Sequence, residues 1–339
     1  MQKFMQRKGD DGMKTQEAST LWVSAQGTPR VSADGRRLYM FGAGESAGQM
    51  EIVPVFPGID LVYHSFTMRA CDCGLRARGS VLAINYCHAG QAECEWLCGD
   101  HLYLGPGDLC ITRLEDDSPI LNFPTGRYEG VAVLLNLEAL HGAPPPLLDS
   151  AALNLAAFPD RFCPGHHFFA IRANAQIAHI FSELYEIPAA VRADYRKIKV
   201  LELLLFLSAV DPAAERRIEK MTAGQIEVVR AVHDRLCADL CENLTIEQLA
   251  KEFCISPTAL KTHFRMVYHD SIKECLRKAR MERAAVLLRQ ADARVADIAA
   301  SVGYVSQSKF AAAFKAQFGL TPLAYRRKCA HTGVQKMDP

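Results

Sequence analysis

Apolar positions recur with two different periods along this chain, and the change of period divides it. From residue 21 to about 140, short runs such as Glu51-Ile52-Val53-Pro54-Val55-Phe56, Ile59 to Phe66 and Val81 to Tyr86 are broken by Gly, Pro and Asp. That pattern predicts strands joined by turns. Glu93 to Leu97, Asp100 to Leu104 and Leu109 to Ile111 extend the meander, with Gly105-Pro106-Gly107-Asp108 as the turn before the last run. From Pro164 to about Val210 the spacing becomes helical, through Ile171, Ile177, Ile180, Phe181, Leu184 and Tyr185, then Ile198, Leu201, Leu204, Leu205 and Leu207. Pro188 separates two predicted helices. The leucine stripe fits either packing on the chain's own N-terminal region or pairing with a second copy. Asp211 to Arg217 reads as a short linker before a further helix over Ala223 to Asp239.

The last third contains one pattern twice. Thr245 is placed to cap a helix whose apolar side is Ile246, Leu249, Ala250 and Phe253. Cys254-Ile255-Ser256 interrupts it, and Pro257 at the first helical position restarts a helix. The pattern returns with Val295 to Val302, the turn Gly303-Tyr304-Val305, and a helix capped by Ser306. Leu249-Ala250 matches Ile298-Ala299, and after one extra turn residue Ser256, Leu260, Phe264 and Tyr268 match Ser306, Phe310, Phe314 and Phe318. Two helix-turn-helix units therefore stand in tandem. Between them, Ser271 to about Ala291 predicts one long amphipathic helix offering Ile272, Leu276, Ala279, Ala284, Ala285 and Leu288 to both. Gly319-Leu320-Thr321-Pro322 ends one helix and starts another.

Ile298-Ala299, Gly303-Tyr304, Ser306, Phe310, Phe314-Lys315, Phe318-Gly319, Thr321-Pro322 and Tyr325-Arg326 resemble the signature of the AraC/XylS family of bacterial transcription regulators. Leu249-Ala250, Ser256, Leu260, Phe264, Arg280, Ala284 and Leu287-Leu288 conform as well. Cys254 and His269 stand where the family often has glycine, which predicts strained turns. The resemblance implies that each second helix enters a major groove of double-stranded DNA. It implies base-facing positions at Thr258, Lys261 and Thr262 in the first unit and at Gln307, Ser308 and Ala312 in the second. Ala312 offers only an apolar contact, so the second reader is expected to discriminate less sharply. Arg265, Lys309, Lys315, Arg326 and Arg327 are the phosphate-contact candidates. Charge agrees: residues 221 to 339 carry 18 Lys+Arg against 12 Asp+Glu, or +6, while the rest carries 21 against 26, or −5. The overall +1 conceals that asymmetry.

The Gly-Pro-Gly-Asp turn before an apolar strand resembles the cupin-like jelly roll that many AraC-type regulators use as a sensor. The resemblance implies a small-molecule effector pocket, with Tyr63, Phe66, Tyr86, Trp96 and Tyr103 as lining candidates and ordinary core as the alternative for each. A metal-binding cupin enzyme needs converging histidines, whereas His64, His88 and His101 are scattered and His166-His167 are adjacent, so no metal or cofactor is expected. Cys71, Cys73, Cys94 and Cys98 leave open a thiol- or metal-responsive regulator. A DNA-repair methyl acceptor would require a cluster of four zinc-ligating cysteines, which is absent. The layout is distantly similar to siderophore-responsive regulators of the family, which implies iron-uptake control as one option.

The twelve cysteines are spread over 339 residues with no signal peptide expected, and the longest apolar run, Val200 to Val210, contains Glu202. It is far shorter than the ~20 residues a bilayer requires. The expected protein is a bacterial cytoplasmic, non-enzymatic α+β regulator. Its expected parts are a flexible N-terminus (1–20), a cupin-like β-barrel sensor (21–160), a helical linker or dimerisation segment (164–217), an AraC-type DNA-binding domain (221–330) and a flexible tail (331–339). Promoter DNA and an effector are the expected partners, with RNA polymerase contact and a homodimer as further expectations and no membrane.

Overall fold

Strands whose odd and even residues are both apolar must be covered on both faces, and that condition sets the layering of the first half of the chain. The computed structural model describes residues 21–334 except 24–28, 45, 73–74, 78, 96–100, 115–120, 143–144, 147, 149–152, 167, 173, 216 and 291–292. The expected flexible N-terminus, 1–20, lies outside the described residues, as do Cys73, Trp96, Cys98 and His167. The chain divides into two units, Met1–Lys220 and Met221–Pro339.

In the first unit the strands are β1 (Leu21–Val23), β2 (Arg30–Val31), β3 (Arg37–Ala43), β4 (Ser46–Phe56), β5 (Ile59–Thr67), β6 (Ala70–Cys71), β7 (Leu75–Ala77), β8 (Val81–Gly90), β9 (Ala92–Glu95), β10 (His101–Leu104), β11 (Leu109–Leu114), β12 (Leu121–Asn122), β13 (Tyr128–Asn136) and β14 (Phe169–Ile171). An eight-stranded sheet runs β14-β11-β8-β13-β5-β4-β3-β2, a four-stranded sheet runs β10-β9-β12-β6, and β1 pairs with β7. The paired strands are antiparallel throughout.

On β13, Val131, Val133 and Leu135 face one core, while Tyr128, Ala132 and Leu134 face another. Leu82, Ile84 and Tyr86 against Val81, Ala83 and Cys87 make the same division on β8. The first core is closed by helices and the second by the smaller sheet through Cys71, Ala92, Leu102 and Leu104. Three layers result. Among the described residues the sheets are open, with β2 and β14 at the edges of the larger one, and no closed barrel forms.

Among the described residues the α-helices of this unit are α1 (Leu137–Gly142), α2 (Phe158–Phe162), α3 (Ala175–Ser182) and α4 (Arg192–Ala209). The Asn174 side chain caps α3 by accepting from the Ile177 amide at 2.9 Å. The break before α4 falls at Pro188, as the sequence predicts. One element differs from the helical reading of 164 onward: Phe169–Ile171 is a strand, paired antiparallel with Leu109–Ile111. A short apolar run carries no periodicity to separate strand from helix, so the pairing partner decides. The leucine stripe of α4 divides: Leu204 and Leu207 are buried in the core shared with the sheet, Leu201 packs at its margin, and Leu205 is exposed. The linker is not slack, because the Ile218 amide donates to the Ala170 carbonyl of β14 at 2.9 Å.

The second unit is helical: α5 (Ala223–Ala238), α6 (Ile246–Glu252), α7 (Pro257–Tyr268), α8 (Ile272–Gln290), α9 (Val295–Ser301), α10 (Gln307–Phe318) and α11 (Pro322–Val334). Thr222 and Thr245 each form a reciprocal capping box, with Gln225 and Gln248. The last helix runs to Val334, past the point where the sequence reading ended the domain. Its end lies beyond the strong apolar signature, so periodicity missed it.

Candidate nucleic-acid interface and ligand cleft

Each helix-turn-helix is held by a small apolar core that leaves the first turn of its second helix outside. In the first, Leu249, Ala250, Leu260 and Phe264 are buried. In the second, Ile298, Ala299, Val302, Phe310 and Phe314 join Met281, Ala284, Ala285 and Leu288 of the spacer helix α8. Ser256 caps α7 by accepting from the Ala259 amide at 3.2 Å, and Ser306 caps α10 by accepting from Lys309 at 3.4 Å. Thr258, Lys261, Thr262 and Arg265 are exposed on α7, and Gln307, Ser308, Lys309, Ala312 and Lys315 on α10. On each helix the polar candidates share one outward side because the residues four apart on the other side form the core.

The predicted turn strain is present. Cys254 and His269 adopt left-handed backbone, φ 53° and 57°, where the second unit has Gly303 and Gly319 at 78° and 71°.

A residue quoted only for its resemblance proves to be the joint of this unit. Arg280 of α8 donates from Nε to the Leu240 carbonyl at 2.7 Å and from Nη2 to the Glu242 carbonyl at 3.3 Å and Asn243 Oδ1 at 3.0 Å. Its guanidinium lies 5.9 Å from the centre of the Tyr304 ring, in the turn of the second reader. The Cys241 thiol adds a contact to the Ser301 carbonyl at 3.3 Å. The segment leading into the first reader is thus fastened to the turn of the second. Arg326 differs from the other phosphate candidates: its Nη2 donates to the Ala293 carbonyl at 2.7 Å, so it clamps the loop before α9. Arg327 is exposed on α11.

In the first unit the expected aromatic pocket is mostly core. Phe66 stacks on Phe123 at 5.0 Å, Tyr86 stacks on Phe181 at 4.4 Å, and the Tyr103 hydroxyl donates to buried Glu93 at 2.8 Å. Phe66 and Tyr86 lie in the two cores on either face of the large sheet, and Tyr103 is buried on β10 between the core residues Leu102 and Leu104, where aromatic area is most stabilising. Of the described candidates, Tyr63 lines a cleft of about 370 Å³. Its walls are Gln49, Glu51, Tyr63 and Glu129 on the helix-facing side of the large sheet, Leu184, Tyr185 and Ile187 after α3, and Arg192 and Arg196 on α4. The Tyr63 hydroxyl donates to the Leu184 carbonyl and accepts from Arg196 Nε, both at 3.3 Å, and the Arg196 guanidinium lies 5.2 Å from the Tyr63 ring centre. Burial raises the Tyr63 phenol above its ordinary pKa, so it stays a neutral hydroxyl.

Sequence reasoning missed Arg192, Arg196 and Tyr185. A signal existed: Arg196 falls on the same helical stripe as Val200, Leu203, Leu204 and Leu207, where a charge is out of place.

The described histidine and cysteine candidates of the first unit do not come together as a cluster. His64 packs beside Phe66 and Tyr128 with its pKa held near 4 by burial, His88 stacks on Tyr185, and His101 pairs with Glu93 at 3.1 Å. Among the described residues no group of three or more His, Cys, Asp or Glu side chains is placed to hold a metal ion. Cys71 is buried, and burial first and then the charge of Glu93 push the Cys94 thiol up to about 12. A thiol held neutral is a poor metal ligand and nucleophile. The thiol-responsive reading therefore has no support from Cys71 or Cys94. Among the described residues no helix is long and apolar enough to cross a membrane.

Paired reader helices on one joint define a DNA-binding transcription regulator, and the similarities of the chain agree. Residues 249–328 match the family described as a helix-turn-helix domain. The regulatory protein SoxS of Salmonella typhimurium is 32% identical over 102 residues, covering 30% of this chain and 95% of SoxS. SoxS of Escherichia coli K12 is 39% identical over 85 residues, covering 25% of this chain and 79% of that protein. Among solved structures, the C-terminal domain of AraT, a response regulator from Geobacillus stearothermophilus, is 33% identical with a TM-score of 0.29, covering 30% of this chain and 84% of that one. The chain belongs to the AraC/XylS family of transcription regulators. These relatives are regulators, and no catalytic family is indicated.

Proposed function

We propose that this protein is an effector-controlled regulator in which residues 221–330 read a promoter and the sheet-rich region, residues 21–160, acts as a cupin-like sensor. The observation that carries the reading is the pair of exposed first turns on α7 and α10, each backed by a buried aromatic core and joined through Arg280. Thr258, Lys261 and Thr262 face bases in one major groove, Lys261 donating to guanine and the threonines meeting a thymine methyl. Gln307, Ser308 and Ala312 face the next groove with weaker discrimination. Arg265, Lys309, Lys315 and Arg327 contact phosphates and fix register. Arg326 supports its loop instead.

The effector occupies the cleft beside Tyr63 and binds one arrangement of the protein better than another, which is the condition for control. The helical segment 164–217 carries the change, and the exposed Ile198 and Leu205 of α4 offer a surface for a homodimer. The regulator acts on the bacterial chromosome in the cytoplasm, with RNA polymerase as the downstream contact.

Gel-shift titration of the full chain against promoter fragments, repeated across salt concentrations, tests the reader. Four phosphate contacts predict a fall in log K against log salt with a slope of about −3 to −4. Binding that ignores salt, or no retention of any fragment in dilute buffer, overturns the assignment.

A further inference from the structure

Two cationic side chains on α4 contrast sharply although they lie three residues apart. Lys199 and Arg196 are both buried, at 6% and 8% exposure. Lys199 is matched by two carboxylates, Glu202 at 2.8 Å and Glu183 closer still. Arg196 has none. Its Nε meets the Tyr63 hydroxyl and its plane lies near the Tyr63 ring, but among the described residues no carboxylate reaches its guanidinium. Such a charge is costly to bury without a counter-ion.

The acids nearby are engaged elsewhere. Glu183 also accepts from the Tyr195 hydroxyl, Asp194 pairs with Lys197 at 3.0 Å, Glu51 with Arg36 at 3.0 Å, and Glu129 with Arg127 at 2.8 Å. Arg192, four residues before Arg196 on the same side of the helix, also lines the cleft, and no carboxylate among the described residues pairs with it. Like charges at this spacing repel one another. The two guanidinium groups thus border a cleft in which no described carboxylate pairs with either of them, and a guanidinium fork suits an oxyanion.

We infer that the cleft takes a small organic molecule bearing a single oxyanion, a carboxylate or a phosphate monoester, bound between Arg192 and Arg196. The inference rests on the effector-controlled reading and gives that effector its chemical class. Leu184, Ile187 and the rings of Tyr63 and Tyr185 receive the apolar body. Glu51 and Glu129 also line the cleft and disfavour a second anionic group, so molecules with one acidic group are preferred over dicarboxylates. The volume lies at the small end of the ~300–1,000 Å³ typical of small-molecule pockets.

The test uses the full chain and its thermal melt in a panel with five arms: aromatic and aliphatic monocarboxylates, their neutral amides, matched phosphate monoesters, dicarboxylates, and inorganic phosphate alone. Monocarboxylates or monoesters are expected to raise the melting temperature, and the stronger of the two arms names the source. Amides and inorganic phosphate are expected to leave it unchanged. In titration calorimetry of the best compound, Arg192→Gln and Arg196→Met each weaken binding at least about tenfold. Ligand-free Arg196→Met melts no lower than the parent, because it removes an unmatched charge; a merely structural arginine would lower the melt and leave the titration intact.

If Arg196→Met does not fold, Arg192→Gln and Arg196→Lys decide by the same titration. Amides that stabilise as well as acids sink the charge argument and leave effector control standing. Inorganic phosphate that matches the organic acids overturns the inference as a general anion site. No shift in any arm, with DNA retention also unaltered by the panel, removes both the inference and the effector reading of this cleft.

Discussion

The two readers share a core and differ at their turns. Leu260 and Phe264 in one, and Phe310 and Phe314 in the other, occupy equivalent positions and are fully buried. The turn positions that demand left-handed backbone carry Cys254 and His269 in the first reader but Gly303 and Gly319 in the second. The outward faces diverge as well: a lysine flanked by threonines against Gln307, Ser308 and Ala312. The repeated part is what packing fixes, and the divergent part is what is exposed or what local strain can tolerate. The first unit holds strained turns beside an outward face with a lysine, whereas the second has glycine turns beside an uncharged Gln307, Ser308 and Ala312.

The largest effect should come from the shared core. Phe264→Ala and Phe310→Ala are each expected to cost about 3–5 kcal/mol in denaturant unfolding. A twofold disparity between them would show that the cores are not equivalent. Next comes Gly303→Val, since a Cβ there meets the Leu240 carbonyl at 2.6 Å and Arg280 Nη2 at 2.9 Å, whereas one at Gly319 meets nothing within 4 Å. Gly303→Val should cost about 2 kcal/mol or more, and Gly319→Ala only the ~1–2 kcal/mol of the left-handed backbone. Equal costs would remove Arg280 from its role as joint.

At the DNA, Lys261→Ala should relax preference at one base pair by about 1–3 kcal/mol in competition gel shifts, while Ala312→Gly changes no preference by more than about 0.5 kcal/mol. The reverse ranking would exchange the roles of the two readers. The smallest effect is Cys254→Gly, expected to raise stability by about 1 kcal/mol by relieving the turn. No gain would mean that the sulfur makes a compensating contact.

The readers were legible in sequence because their determinants are local. Caps at Thr245, Ser256 and Ser306, the proline at 257 and apolar residues four apart all act within a turn or two of helix. The sheet-rich unit was legible as strands but not as an arrangement, since pairings such as Leu109 with Ile171 join residues far apart in the chain. Phe169–Ile171 read as helix for that reason. Aromatic residues do not mark the cleft, because Phe66, Tyr86 and Tyr103 are buried where water is excluded. Its better marker was an arginine interrupting the leucine stripe of α4. Arg280 carried no such signal, because its partners are the carbonyls of Leu240 and Glu242, which every sequence possesses.

By fastening the segment before one reader to the turn of the other, Arg280 makes the pair a caliper of set jaw width. In the proposed function such an instrument gauges distance and phase along a duplex as well as letters. Inserting five base pairs between the two recognition sites turns one of them to the opposite side of the helix, about half of a 10–10.5 bp turn away. Inserting a full turn restores the facing but not the reach, so both insertions should abolish joint occupancy.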